Sequence, residues 1–348
     1  MNHSTKSVYF LSVGIGLVLA VLVSVFRSIL LLTGYSPTLG HFYEGPAADI
    51  FLPLFFVLSI VVAVGFGIFF RSFLSNRALK QTLPSIFASG LAALTMLVWL
   101  ITLLTNAVRY GTPSGPLRPL LTLLSFFTLL CIGHFVYSAV GGTNVRLQAL
   151  LCASLAVFCA FYMLYAYFDT TFTLNSPIKI FDQITFFILA LFFLAECRFH
   201  VNKVSDAVFL PIGMIAMVFT AANAAPGLIY AASEGTPLVG SVMHDFLSLA
   251  LFLYVVARML SFPLSVSEQG KQDVFAAEMA EDSTPVYEDE EDQIAEGDPR
   301  QETFHFDEDE GDAADSTLSP TRQEEPSDNE EEPSVAQTTL TFDRKSNV

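Results

Sequence analysis

Eight stretches of mainly apolar residues, nearly all of them long, divide the first three quarters of the chain: Val8 to Phe26, Ile50 to Phe70, Ser85 to Thr105, Pro119 to Val140, Leu147 to Phe168, Gln183 to Glu196, Ala207 to Tyr230 and Phe246 to Phe262. A hydrocarbon core of about 30 Å is crossed by about 20 helical residues, so this pattern predicts a polytopic all-α membrane bundle of about eight helices. The sixth stretch is the shortest. None shows the in/out alternation of a transmembrane barrel strand, and an isolated extended segment would leave its backbone groups without partners in lipid. The first stretch follows Lys6 and superficially suggests a secretory signal. It is longer than an ordinary signal core and no small-x-small cleavage site leads into a soluble domain, so it reads as an uncleaved span.

Composition agrees: 53% of the 348 residues are hydrophobic, 15% are charged, and the mean hydropathy is +0.54. The charges are unevenly placed. Residues 1–264, the expected transmembrane domain, hold 12 Lys/Arg and 8 Asp/Glu, whereas residues 265–348 hold 5 and 26. That second segment is rich in Glu, Asp, Ser, Thr, Pro and Gln and buries too little apolar surface to offset its ordering entropy, so a disordered acidic tail is expected from Ser265 onward. Two islands interrupt the acid, Phe304-His305-Phe306 and Thr338 to Phe342; each reads as a docking element for a cytoplasmic protein partner or as compositional noise.

Lys and Arg gather on the cytoplasmic side of membrane proteins. With the N-terminus inside, inside segments carry eight (Lys6, Arg71, Arg77, Lys80, Arg146, Arg198, Lys203, Arg258) and outside loops carry three (Arg109, Arg118, Lys179); Arg27, at the outer end of the first span, is counted in neither. Both termini and the tail are therefore expected in the cytoplasm. Short loops and the lack of an organelle-retention signal point to a plasma membrane, that of a bacterium by preference.

Several classes drop out. The basic residues are few and scattered over loops, and the pI is near 4.6, so no stripe exists to bind nucleic acid. Cys131, Cys152, Cys159 and Cys197 all fall in apolar segments and read as small core residues. No nucleophile elbow, zincin helix, P-loop or dinucleotide fingerprint occurs, so no cofactor, metal or enzymatic activity is expected.

The two halves echo one another faintly. Arg71, Leu83-Pro84 and Gly111-Thr112-Pro113 recur as Arg198, Leu210-Pro211 and Gly235-Thr236-Pro237 at offsets of 127, 127 and 124. A duplication of this kind would make a parallel four-plus-four repeat, although Pro and Gly at helix starts and turns produce such echoes unaided.

Ionisable residues inside a membrane are costly and therefore candidates for function. His134 lies in the fourth span and Arg258 in the eighth, and the 124-residue offset maps one onto the other. A symmetric polar pair lining a path is one reading; the simpler one has Arg258 reaching the interface and His134 bonded to a neighbouring helix. Glu196 and His200 share a helical face, suited to passing a proton or to ligating a metal, though two ligands do not make a zinc site, or else form the charged cuff of the sixth span. Asn223, followed by Ala224-Ala225-Pro226-Gly227, marks either a broken helix beside a cavity or a plain kink in the seventh span. Outside the membrane, Glu44, Asp49, Asp169, Asp182, Glu234 and Asp245, with His41 and His244, suggest a weakly acidic vestibule.

Three functional classes remain. A non-enzymatic membrane scaffold or sensor, recruiting cytoplasmic partners through the tail, accounts best for the sequence. A small-solute transporter follows, and an intramembrane enzyme using Glu196, His200 or His134 comes last.

Overall fold

The computed structural model describes residues 3–36, 40–43, 45, 50–73, 81–111, 115–142, 144–169, 176–201, 206–238 and 241–282. Among them lie eight α-helices: α1 (His3–Gly34), α2 (Leu52–Phe69), α3 (Leu83–Tyr110), α4 (Leu117–Val140), α5 (Val145–Phe168), α6 (Pro177–His200), α7 (Asp206–Glu234) and α8 (Val242–Asp282). Each is long and apolar enough to cross a membrane. The chain is a multi-pass membrane protein. A short antiparallel ribbon, β1 (Tyr35–Ser36) with β2 (His41–Phe42), joins α1 to α2. All eight helices belong to one compact unit, Met1–Pro285.

Local signals explain where the helices begin and end. Proline, whose missing N–H is not needed in a first turn, stands at the start of α2, α3 and α6. The Asn144 side chain accepts a hydrogen bond from the Leu147 amide at 3.2 Å and so caps α5. Gly141, at φ +79°, closes α4 in the left-handed conformation that a side chain disfavours.

Short connections make successive helices antiparallel, so α1 begins at the same end of the bundle where α3, α5 and α7 begin. That will be called the first end, and the other the second. α7 lies at the centre, packed against α1, α2, α6 and α8, with its most extensive pairing to α1. Small residues allow this close approach. A Cβ on Gly67 of α2 would overlap the Pro211 ring of α7, whereas one on Gly65 would meet nothing. Residues such as Val18, Val21, Leu22 and Val25 of α1 stay exposed on the bundle surface, as contact with lipid requires.

Three expectations change. α6 starts at Pro177 rather than Gln183 and α8 at Val242 rather than Phe246, which draws Asp182, His244 and Asp245 out of the outside loops and into the bundle. α8 also continues past Ser265 to Asp282, through Gln, Lys, Glu and Ala residues of good helix propensity. Beyond Asp282 the expected disorder and both aromatic islands lie outside the described residues. Finally, the echo between the halves is not carried into the packing. α1 packs extensively on α7 and α3 on α8, but the counterpart pairs, α5 with α3 and α7 with α4, show no comparable packing among the described residues, although Trp99 of α3 meets Phe158 and Tyr162 of α5.

Candidate functional site

Two groups of buried polar side chains occupy the bundle, one in each half. Near the second end, Asp182 of α6 accepts from three helices at once. Its Oδ2 takes the Tyr162 hydroxyl of α5 at 2.8 Å, and its Oδ1 takes Asn223 Nδ2 of α7 and His244 Nε2 of α8, both at 2.8 Å. Tyr162 Oη also lies 3.2 Å from His244 Nδ1, and Asn223 reaches Ser248 at 3.3 Å. Phe186 closes the aromatic side, its ring 4.0 Å from that of Tyr162.

The residues Tyr162, Asp182 and His244 thus form a closed ring of three contacts, which needs three hydrogens. The phenol and a singly protonated imidazole provide two. With a hydrogen in every contact, the third lies between Asp182 and His244, and the ring is then neutral as a whole whichever of the two residues carries the proton. A small pocket of about 40 Å³, enough for a water or two, meets this ring. Tyr165, Asp169 and Lys179 also line it; Lys179 Nζ donates to the carbonyls of Tyr167 and Asp169 and so caps the end of α5.

Beside the ring lie Arg27 of α1 and Asp245 of α8, each about 2% exposed. Pro226 has no N–H, so the Ala222 carbonyl four residues earlier lacks its helical donor. Arg27 Nη1 donates to that carbonyl, and the guanidinium packs over the Phe181 ring at 3.7 Å. α7 therefore passes Pro226 as one continuous helix, and the break considered at Asn223 to Gly227 is not present. Asn223 instead joins the ring.

The first-end group gathers four of the residues singled out by sequence. Glu196 of α6 is fully buried, and its Oε1 accepts from Arg258 Nε and, at 2.8 Å, from the Tyr254 hydroxyl, both on α8. His134 of α4 brings Nε2 within 3.4 Å of that hydroxyl. Glu196 Oε2, His134 Nδ1 and His200 Nε2 are buried without a hydrogen-bond partner among the described residues. Glu196 is thus an internal ion-pair partner rather than part of a surface cuff, and Arg258, 3% exposed, is held by it instead of reaching the interface. Arg198, exposed on the same helix, has the cuff position. No group of three or more His, Cys, Asp or Glu among the described residues is arranged to hold a metal.

The two groups share one frame. The Asp182–His244 and Glu196–Arg258 pairs are both separated by 62 residues, so α6 and α8 run parallel and in register. Fourteen residues of helix, about 21 Å of rise, separate the pairs, and Leu189, Phe192 and Phe193 of α6 with Leu251 and Val255 of α8 fill the interval.

Sequence reasoning missed Arg27, Tyr162 and Tyr254, and it assigned Asp182, His244 and Asp245 to an outside vestibule rather than to the bundle. For the latter three a signal existed: Ser176-Pro177 and Ser241 are helix-start residues, and starting α6 and α8 there places Asp182, His244 and Asp245 inside helices. Tyr162 and Tyr254 gave none, since tyrosines in an apolar span look like core. Comparison of the chain with protein-family models, curated proteins and solved structures finds no match.

Proposed function

We propose that the protein is a non-enzymatic membrane transporter of a small polar solute, with its path along the α5–α8 side of the bundle. The observation that supports this most is the pair of buried acid–base contacts in register on α6 and α8. Ion pairs inside a bilayer stabilise a fold poorly compared with apolar packing, and their usual places are ion and solute pathways. A polar station in each half, an apolar interval between them and a small water-sized pocket beside Asp182 fit a path that opens to one side at a time.

Reconstitution tests the reading. The full chain in liposomes, preloaded in turn with amino acids, sugars, carboxylates and amines, is expected to exchange one class against external label and to lose most of that exchange with Asp182→Asn. Failure of every class, or exchange indifferent to Asp182→Asn, would count against it.

The distribution of Lys and Arg supports an orientation with both termini cytoplasmic, so that the pocket opens outside, and the short loops favour a plasma membrane. The scaffold reading rests on the acidic tail alone. Its test is an in-cell crosslinking capture that compares the full chain with one ending at Asp282; matched captures would remove recruitment through the tail.

A further inference from the structure

Among the described residues, most buried charged groups in the second-end half have committed partners. Arg27 is committed to Ala222 and Phe181, and His244, Tyr162 and Asn223 are committed to Asp182. Asp245 is the exception. It is 2% exposed, its Oδ2 has no hydrogen-bond partner among the described residues, and the charges acting on it are His244, Asp182 and Arg27.

From this geometry we infer that transport is coupled to protons and that Asp245 is the carboxylate that binds and releases them, a statement that rests on the transporter reading above. The step is a simple one: Oδ2 takes a proton from water at one face, forming an O–H bond, and returns it to water at the other. Asp182 is unsuited to this role, because changing its proton count strands a contact in a ring whose hydrogens are all engaged. Asp245 can gain or lose a proton without breaking a hydrogen bond to Oδ2. A metal ion is disfavoured as the coupling species, since hard cations need several oxygens at once and no such group is assembled among the described residues.

Charge accounting allows both states. With the Tyr162–Asp182–His244 ring neutral, Arg27 balances an ionised Asp245, so the unloaded site has no net charge and the loaded site has one. The coupling to structure is direct. The Asp245 carboxyl lies on the α7 backbone at Gly227, where a Cβ would stand 2.6 Å from its carboxyl carbon. Gly227 follows Pro226 and lies one helical turn from Asn223, the donor to Asp182. A change of charge on Asp245 therefore acts on the segment of α7 that ties α6 to α8.

The test uses the full-length protein in lipid nanodiscs and infrared difference spectra between about pH 9 and about pH 5. A carboxylic-acid carbonyl band at the high frequency of a carboxyl without a hydrogen bond, separate from that of the solvated tail acids, is expected to grow at low pH, to vanish in Asp245→Asn and to persist in Asp182→Asn and Glu196→Gln. Absence of the band, or its survival in Asp245→Asn, overturns the proposal. Should Asp245→Asn fail to fold, Gly227→Ala retains the carboxyl but crowds it, and the band should move; an unmoved band is equally fatal. The spectra need no solute, so a proton band without solute exchange defeats the transporter reading alone, and pH-independent exchange without the band defeats this one alone.

Discussion

Arg27 of α1 donates to the backbone carbonyl of Ala222 on α7, the carbonyl that Pro226 deprives of its own helical partner. A proline deep in a membrane helix is tolerated when a neighbouring side chain satisfies the freed oxygen. Here that side chain is a buried arginine, which explains in one contact why both residues are present.

The contact predicts a dependence between the two positions. Arg27→Leu should lower stability by about 1–2 kcal/mol, read as the thermal midpoint in detergent. In a Pro226→Ala background, where the restored N–H can reach the Ala222 carbonyl, the same change should cost less. Equal losses in the two backgrounds would show that Arg27 stabilises by other means.

For the Glu196–Arg258 pair, removing one partner is predicted to be worse than removing both. Either Glu196→Gln or Arg258→Met leaves a buried group without its counter-charge, at a cost of about 3–5 kcal/mol. The double variant should recover much of that loss in the same thermal assay. A double variant as unstable as the sum of the singles would refute the pairing.

Loss of one hydroxyl tests the ring. Tyr162→Phe retains the aromatic packing on Phe186 but leaves Asp182 Oδ2 without its donor. The expected cost is about 1–2 kcal/mol, together with a clear fall in any solute exchange the wild-type chain supports. Unchanged stability and unchanged exchange would place the hydroxyl outside the site.

Two glycines on α2 provide an internal control. Gly67→Ala should destabilise the bundle by about 1–3 kcal/mol, because its Cβ meets the Pro211 ring, while Gly65→Ala should be neutral or mildly stabilising in detergent. The reverse order would mean that α2 packs on α7 through another face.

The fold was legible because membrane helices declare themselves by length and apolarity, and all eight were recoverable from those two properties. The site was less so. His134, Glu196, His200 and Arg258 stand out as polar residues within or beside apolar runs, and they converge on the first-end group. Asp182, His244 and Asp245 sit in the opening turns of α6 and α8, where a hydropathy criterion stops at the first charge and assigns everything before it to a loop. Their burial depends on neighbours from α1, α5 and α7, and that information is not contained in either segment alone. Arg27 was obscured in the same way: an arginine near the end of a span looks like an interfacial anchor until the partner created by Pro226 is seen.

The shared 62-residue separation of the two acid–base pairs restricts how α8 can travel. Sliding by one residue along α6 would break both contacts together, so axial translation is resisted at two points about 21 Å apart. Sideways movement of α8 is left to its other neighbours, α7, α3 and α1, on which it also packs, so the two polar pairs set its height in the bundle while the apolar faces set its position across it.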